Sequence, residues 1–148
     1  MRRTKATGTV TREDLGFLLA KASQRWNELL WAGFSEEGFP EVRPSYGSVL
    51  VPLFEEDGLR MGEIARRSRL SKQTMTTMVR LAERDGLVVR EPDAEDARAV
   101  RVRLSDRARE FAPVAERVLR RLERRVAEVI GAAERSRLRG ALGELAEL

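Results

Sequence analysis

Between Arg60 and Leu104 the hydrophobic period of this chain changes from helical to alternating, and no other feature limits the fold as much. Met61, Ile64 and Ala65 recur at helical spacing within Arg60–Arg67, and Leu70 follows a tight turn. Ser71-Lys72-Gln73-Thr74 opens a second helix, with Ser71 as N-cap. That helix is predicted to run to about Asp85 and to stop at Gly86, a residue suited to the C′ position. Leu87–Arg90 is β-prone, Pro92–Asp96 is a turn cluster, and Val100–Leu104 alternates apolar with basic residues. Two helices about four residues apart, followed by a hairpin, describe a helix-turn-helix with a wing. Its second helix is the one that enters a DNA major groove.

The flanks need a separate explanation. Leu15, Leu18, Leu19, Ala22, Trp26, Leu29, Leu30 and Gly33 step by three and four, which predicts a helix from about Arg12 to Phe34. Thr11 and Asp14 resemble a capping pair at its start. Ser45 is placed to cap a helix through Phe54, in which Pro52 argues for a kink or an early end. After the hairpin, Ser105 caps a long helix whose stripe is Phe111, Val114, Ala115, Val118, Leu122, Val126 and Val129, ended by Gly131. A last helix carries Leu138, Leu142, Leu145 and Leu148. A wing domain of roughly sixty residues has too little surface to cover all these stripes. Packing of the two chain ends against each other and against a second copy would cover them, and a two-fold dimer matches a palindromic DNA site; the alternative is a monomer with a helical bundle beside the wing.

The composition excludes most catalytic chemistry. The 148 residues contain no Cys and no His, so thiolate and imidazole nucleophiles, bases and metal ligands are ruled out. No Asp/Glu spacing suggests a carboxylate metal site, and no cofactor is expected. No apolar run approaches the ~20 residues needed to span a membrane. Met1-Arg2-Arg3 is followed by no apolar stretch, so a secretory signal is not expected and a cytoplasmic location is. Charge is uneven: four basic groups and no acid in residues 1–12, −6 over 13–59, +4 over 60–110, and +2 over 111–148. The helix-turn-helix segment is therefore basic relative to the segment before it, as expected of a surface that meets a polyanion. Ser71 and Lys72, the one Ser–Lys pair considered for catalysis, are adjacent on a helix and do not face each other.

Residues 45–110 resemble the MarR family of winged helix-turn-helix transcriptional regulators. The matching stretches are Leu59-Arg60-Met61-Gly62-Glu63-Ile64-Ala65, Leu70-Ser71-Lys72-Gln73-Thr74-Met75-Thr76 and Glu83-Arg84-Asp85-Gly86-Leu87-Val88. The wing follows as Asp93 to Ser105, with the family's Asp-x-Arg signature at Asp96 and Arg98. The terminal helices agree with the family's dimerisation region, so the resemblance covers nearly the whole chain. It implies a homodimer that binds operator DNA and is often released by a small ligand. Two departures stand out. Ala82 occupies a position where the family usually carries a bulky apolar residue, which predicts altered packing near the end of the recognition helix. The absence of Cys removes the thiol oxidation chemistry that some members use.

The expected fold is thus mainly α with a small β-wing, an α+β winged helix-turn-helix flanked by dimerisation helices. The expected division is an N-terminal dimerisation helix in 1–40, a DNA-binding domain in 41–104, and C-terminal dimerisation helices in 105–148. In the recognition helix, Thr74, Met75, Met78 and Val79 fit the inward face. Lys72, Gln73, Thr76, Thr77 and Arg80 fit the outward face, where their chemistry suits base edges and phosphates. Ser71 is placed to reach a phosphate as well as to cap. Arg98 at the hairpin tip suits a narrow minor groove, and Asp96 is placed to orient it or to stabilise the turn. Arg101 and Arg103 fall on the strand's polar face, as solvated groups or general phosphate contacts. Trp26, Trp31, Phe34, Arg43 and Tyr46 fall at the junction where the family holds effectors, and form the candidate ligand set. The chain therefore reads as a homodimeric repressor on a pseudo-palindromic duplex, with a small-molecule effector. The alternative reading is a winged-helix protein–protein interaction module without DNA binding.

Overall fold

The first helix, α1 (Leu15–Glu36), starts three residues later than its apolar stripe predicts. Residues 11–14 form a turn instead, in which the Thr11 N–H donates to the Asp14 carboxylate and the Glu13 N–H to the Thr11 hydroxyl at 3.1 Å. Asp14 is the N-cap residue, yet its side chain makes no capping bond into the helix. The computed structural model describes residues 8–148, and Arg2, Arg3 and Lys5 of the basic N-terminal run lie outside the described residues. Only the end of α1 is buried within the protomer, at Leu30, Gly33 and Phe34. A Cβ on Gly33 would sit 2.6 Å from the Val118 Cγ1 of a later helix, so the absent side chain is what permits this close crossing.

Pro44–Tyr46 form a short 3-10 turn that leads into α2 (Gly47–Glu55). Ser45 lies inside that turn and caps nothing, contrary to expectation. Pro52 does not end α2 either. A proline offers no N–H to the carbonyl four residues earlier, which here is Ser48. The Ser68 hydroxyl donates to the Ser48 carbonyl at 2.5 Å and satisfies it.

Strand β1 (Leu59–Arg60) runs directly into α3 (Met61–Arg67). Two residues are too few to show alternation, so this strand has no signature in the sequence. Arg69, at φ +54°, makes the turn into α4 (Lys72–Arg84). Ser71 caps α4 as predicted, its hydroxyl oxygen accepting the Thr74 N–H at 3.1 Å. The helix closes with the Leu87 N–H on the Ala82 carbonyl and the Gly86 N–H on that of Glu83, a Schellman arrangement with Gly86 at φ +79°. Thr74 is exposed rather than inward-facing. Its hydroxyl receives a 2.8 Å hydrogen bond from Ser71, which holds it at the capped end and away from the core.

Strands β2 (Val88–Pro92) and β3 (Val100–Leu104) pair antiparallel, from Val88 opposite Leu104 to Pro92 opposite Val100. β1 adds to the other side of β3, giving a three-stranded sheet in the order β1-β3-β2. Ser105 then caps α5 (Asp106–Ile130), accepting the Ala108 N–H at 3.1 Å, and Gly131 ends that helix. Phe111, Val114, Ala115, Val118 and Leu122 are buried, whereas Val126 is half-buried and Val129 is 83% exposed. The predicted stripe thus leaves its own protomer's core after Leu122. The last helix, α6 (Ala132–Leu145), buries none of its residues.

The core sits between α1, α5 and the winged unit. Val49, Ile64, Met75, Val79, Ala82, Leu87 and Val102 are fully enclosed. Phe34 meets Phe111 edge-on, with ring centroids 4.8 Å apart. Ala82 is enclosed while Leu81 is exposed, so the end of α4 packs closely on a small side chain.

Candidate nucleic-acid interface and junction groove

Helix α4 presents Lys72, Gln73, Thr77 and Arg80 to solvent and Thr76 half-exposed, while Met75, Val79 and Ala82 hold its other side in the core. Lys72 and Arg80 have no ion-pair partner among the described residues, so both cations face outward uncompensated. The Thr76 hydroxyl donates to the Lys72 carbonyl at 2.8 Å and that of Thr77 to the Gln73 carbonyl at 3.3 Å. With those protons committed to the helix, these threonines offer a partner only oxygen lone pairs and methyl groups. Such methyls suit the thymine methyl in a major groove.

The wing tip is a ring of hydrogen bonds. The Asp93 N–H donates to the Ala99 carbonyl at 3.0 Å, and the Ala99 N–H to the Asp96 carbonyl at 3.0 Å. The Asp96 carboxylate accepts the Arg98 N–H at 3.0 Å, so its first task is to hold the turn. Its ion pair with the Arg98 guanidinium spans 3.8 Å, and that side chain is 96% exposed. An exposed pair of this kind is worth about 0–1 kcal/mol. The guanidinium therefore projects freely from the tip.

Pro92–Arg98 is polar throughout, which predicts a tip with no core role, but Asp93 is buried. Its side chain is 1% exposed. One carboxylate oxygen accepts Arg60 Nε at 2.9 Å and lies 2.7 Å from Arg101 Nε. The other accepts the N–H groups of Glu95 at 2.8 Å and Asp96 at 3.2 Å. The Arg60 hydrogen bond, then those backbone N–H groups and the charge of Arg101, hold the carboxyl far below the usual range despite burial. Arg101, expected to be a solvated or phosphate-binding group, is committed to Asp93 and to the Gly58 carbonyl at 2.7 Å. Arg103 pairs with Glu91. An Asp whose side chain can bond the N–H two residues on, at the start of a turn, was the available signal. Its arginine partners come from strands more distant in sequence.

The candidate ligand residues separate. Phe34 and Tyr46 are core residues. The Tyr46 hydroxyl donates to the Asp85 carboxylate at the end of α4. Burial, followed by that hydrogen bond, raises the phenol above its ordinary value, while Arg84 and then Tyr46 lower the Asp85 carboxyl. Trp26 is half-buried against the core. Only Trp31 and Arg43 line an open groove of about 440 Å³, together with Gln24, Asn27, Glu28, Pro44 and Ser45. The Trp31 indole N–H donates to the Pro40 carbonyl at 3.0 Å, which fixes the ring as one wall.

A helix-turn-helix closed by an antiparallel wing and flanked by long helices defines the winged helix-turn-helix class. The sequence model of the MarR family matches residues 49–99. The fold resembles a probable transcriptional regulator from Pseudomonas aeruginosa, with TM-score 0.76 and 26% identity over 90% of this chain and 97% of that one. It also resembles the transcriptional repressor CouR bound to a 23-mer DNA duplex, with TM-score 0.77 and 26% identity over 94% and 99%. A MarR family protein from Mycobacterium tuberculosis in complex with salicylic acid aligns at TM-score 0.61 and 27% identity over 91% and 99%. No curated protein matches the sequence. The MarR family model thus matches the winged unit, and the architecture of these regulators is shared over nine-tenths of the chain, so the chain resembles the MarR family in both sequence and fold.

Proposed function

We propose that this protein is a sequence-specific DNA-binding transcriptional regulator, a repressor acting as a homodimer on a pseudo-palindromic duplex. The observation that carries the reading is the exposed polar face of α4, with Lys72 and Arg80 unpaired among the described residues, beside a wing whose Arg98 projects into solvent. In this reading Gln73, Thr76, Thr77 and Arg80 meet base edges, Ser71 and Lys72 meet phosphates, and Arg98, held by the Asp96 turn, enters the minor groove. The DNA-bound relative CouR supports it. Residues 41–104 then bind DNA, while 1–40 and 105–148 dimerise. Support for the dimer comes from Leu15, Leu18 and Leu19 on α1 and Leu138, Leu142 and Leu145 on α6, all of which stay exposed in a single protomer.

Repression would follow from competition with polymerase for the site. Half-sites recur about 34–36 Å apart, so a shift of a few ångström between the two recognition helices misaligns one of them. A small ligand in the groove between Trp31 and Arg43 would act this way, and the relative holding salicylic acid supports that part. The role includes no catalytic step. No described helix is long and apolar enough to cross a membrane, and a regulator of this kind works in the cytoplasm beside the chromosome.

Fluorescence anisotropy with mixed duplex DNA across a salt series tests the reading. The expected result is binding that weakens with salt, with a log–log slope of about −0.9 per neutralised phosphate. Absence of binding at low salt overturns it and favours the protein–protein module.

A further inference from the structure

Arg60 and Arg101 are direct cross-strand partners in the β1–β3 pairing. Like charges facing each other on neighbouring strands destabilise a sheet unless something neutralises them. The Asp93 carboxylate does so, taking Arg60 Nε at 2.9 Å and Arg101 Nε at 2.7 Å on the same oxygen. Arg60 is also the residue that leads β1 into α3, as its N-cap. The clamp thus joins the wing to the start of the helix-turn-helix at one buried atom. From the other oxygen a relay runs outward. Asp93 accepts the Asp96 N–H at 3.2 Å, and Asp96 accepts the Arg98 N–H at 3.0 Å. The ring closes through Ala99, whose carbonyl takes the Asp93 N–H.

We propose that Asp93 is a positioning residue for DNA recognition: by clamping Arg60 and Arg101 it fixes the wing against the helix-turn-helix and so sets where the Arg98 guanidinium meets the duplex. The proposal rests on the DNA-binding reading. Asp93 itself, enclosed where the tip of the wing meets β1, touches no partner. A clamp of this kind matters because a flexible wing must lose its freedom on binding, and a pre-set one has already lost it. Arg98 is the group whose contribution depends on that setting, since its own ion pair is long and exposed. Loss of the clamp should therefore show in affinity only while Arg98 is present.

The experiment is a double-mutant cycle on the full-length homodimer, with Asp93→Asn, Arg98→Ala and the pair. The probe is a duplex that the wild-type protein enriches from a random-sequence pool. Asn keeps the shape of Asp93 but lacks the charge that neutralises two guanidiniums. The expected result is that Asp93→Asn weakens binding on the order of tenfold in the wild-type background and less than about twofold in the Arg98→Ala background, a coupling of the size seen between interacting residues. Thermal melts run alongside should show the same shift in both backgrounds, because the clamp's contribution to stability does not pass through Arg98. Equal fold-losses of affinity in both backgrounds overturn the proposal and reduce Asp93 to a fold-maintaining group, as does unchanged affinity in a folded Asp93→Asn protein. If Asp93→Asn does not fold, Arg60→Gln replaces it, leaving Asp93 its Arg101 and backbone partners. The same coupling supports the proposal, and a loss that persists without Arg98 overturns it by making Arg60 a direct DNA contact. A wild-type protein that enriches no duplex removes the DNA reading itself, an outcome distinct from a wild type that binds and a cycle that shows no coupling.

Discussion

Ile64 and Leu142 are both aliphatic residues at helical spacing, yet Ile64 is fully enclosed by its own protomer and Leu142 is 43% exposed. The contrast extends to the regions around them. The winged unit draws α2, α3, α4 and the sheet over a shared core, and α5 closes it with Phe111 to Leu122. The first half of α1, the end of α5 and all of α6 also repeat apolar residues but bury none of them fully. Hydrophobic periodicity therefore states only that a face must be buried. Where the chain lacks the neighbouring elements to bury it, a second copy is the remaining source of surface.

The strongest way to break this contrast is to remove one side of it. Cutting the chain after Gly131 deletes α6 and should convert the proposed dimer to a monomer or an aggregate. Sedimentation showing unchanged stoichiometry would place the dimer contact elsewhere. Core substitution should behave differently. Ile64→Ala should cost about 2–5 kcal/mol at any protein concentration, because the cavity forms inside one protomer. Leu142→Ala should instead make the melting temperature more dependent on concentration, since it weakens association. Differential scanning calorimetry over a concentration range separates the two behaviours.

Smaller effects sharpen the contrast within the winged unit, between groups that hold the fold and groups left for a partner. Alanine at Gln73, Thr76 or Thr77 should cost ~1–3 kcal/mol on a preferred duplex and little on random DNA, as anisotropy would show. Equal losses on both duplexes would restrict these residues to the backbone. Arg98→Ala should leave stability within about ±0.5 kcal/mol, because its side chain lies in solvent. A melt shifted well beyond that would give the tip a structural role.

Acid should erode the ion-paired groups first. Glu63 is drawn down to about 2 by Arg66 and then Arg67. A carboxyl lowered on folding contributes fully above its unfolded value and loses that contribution as pH falls through the folded one. Stability should therefore decline below the ordinary carboxylate range, from roughly pH 4.5 toward 2, and Glu63→Gln should flatten a small part of that decline in pH-dependent melts.

Much of this molecule is determined locally. The Ser71 and Ser105 caps, the stop at Gly86 and the alternation of Val100–Leu104 are set by residues within a turn or a strand of one another, and each lies where the sequence places it. So does the division of α4 into a polar and an apolar face, apart from Thr74, which its contact with Ser71 holds outside. Contacts between distant segments decided the rest. Pro52 is tolerated because Ser68 supplies the missing donor, and β1 exists only as an edge for β3 to pair with. Phe34 and Tyr46 became core because α5 and the end of α4 close over them, leaving Trp31 and Arg43 at the groove. Asp93 and Arg101 read as ordinary surface charges until folding brings Arg60 beside them, 33 residues from Asp93 along the chain. A local pattern records what each residue can bond, but which partner arrives depends on the path of the whole backbone, and that is known only once the tertiary structure has formed.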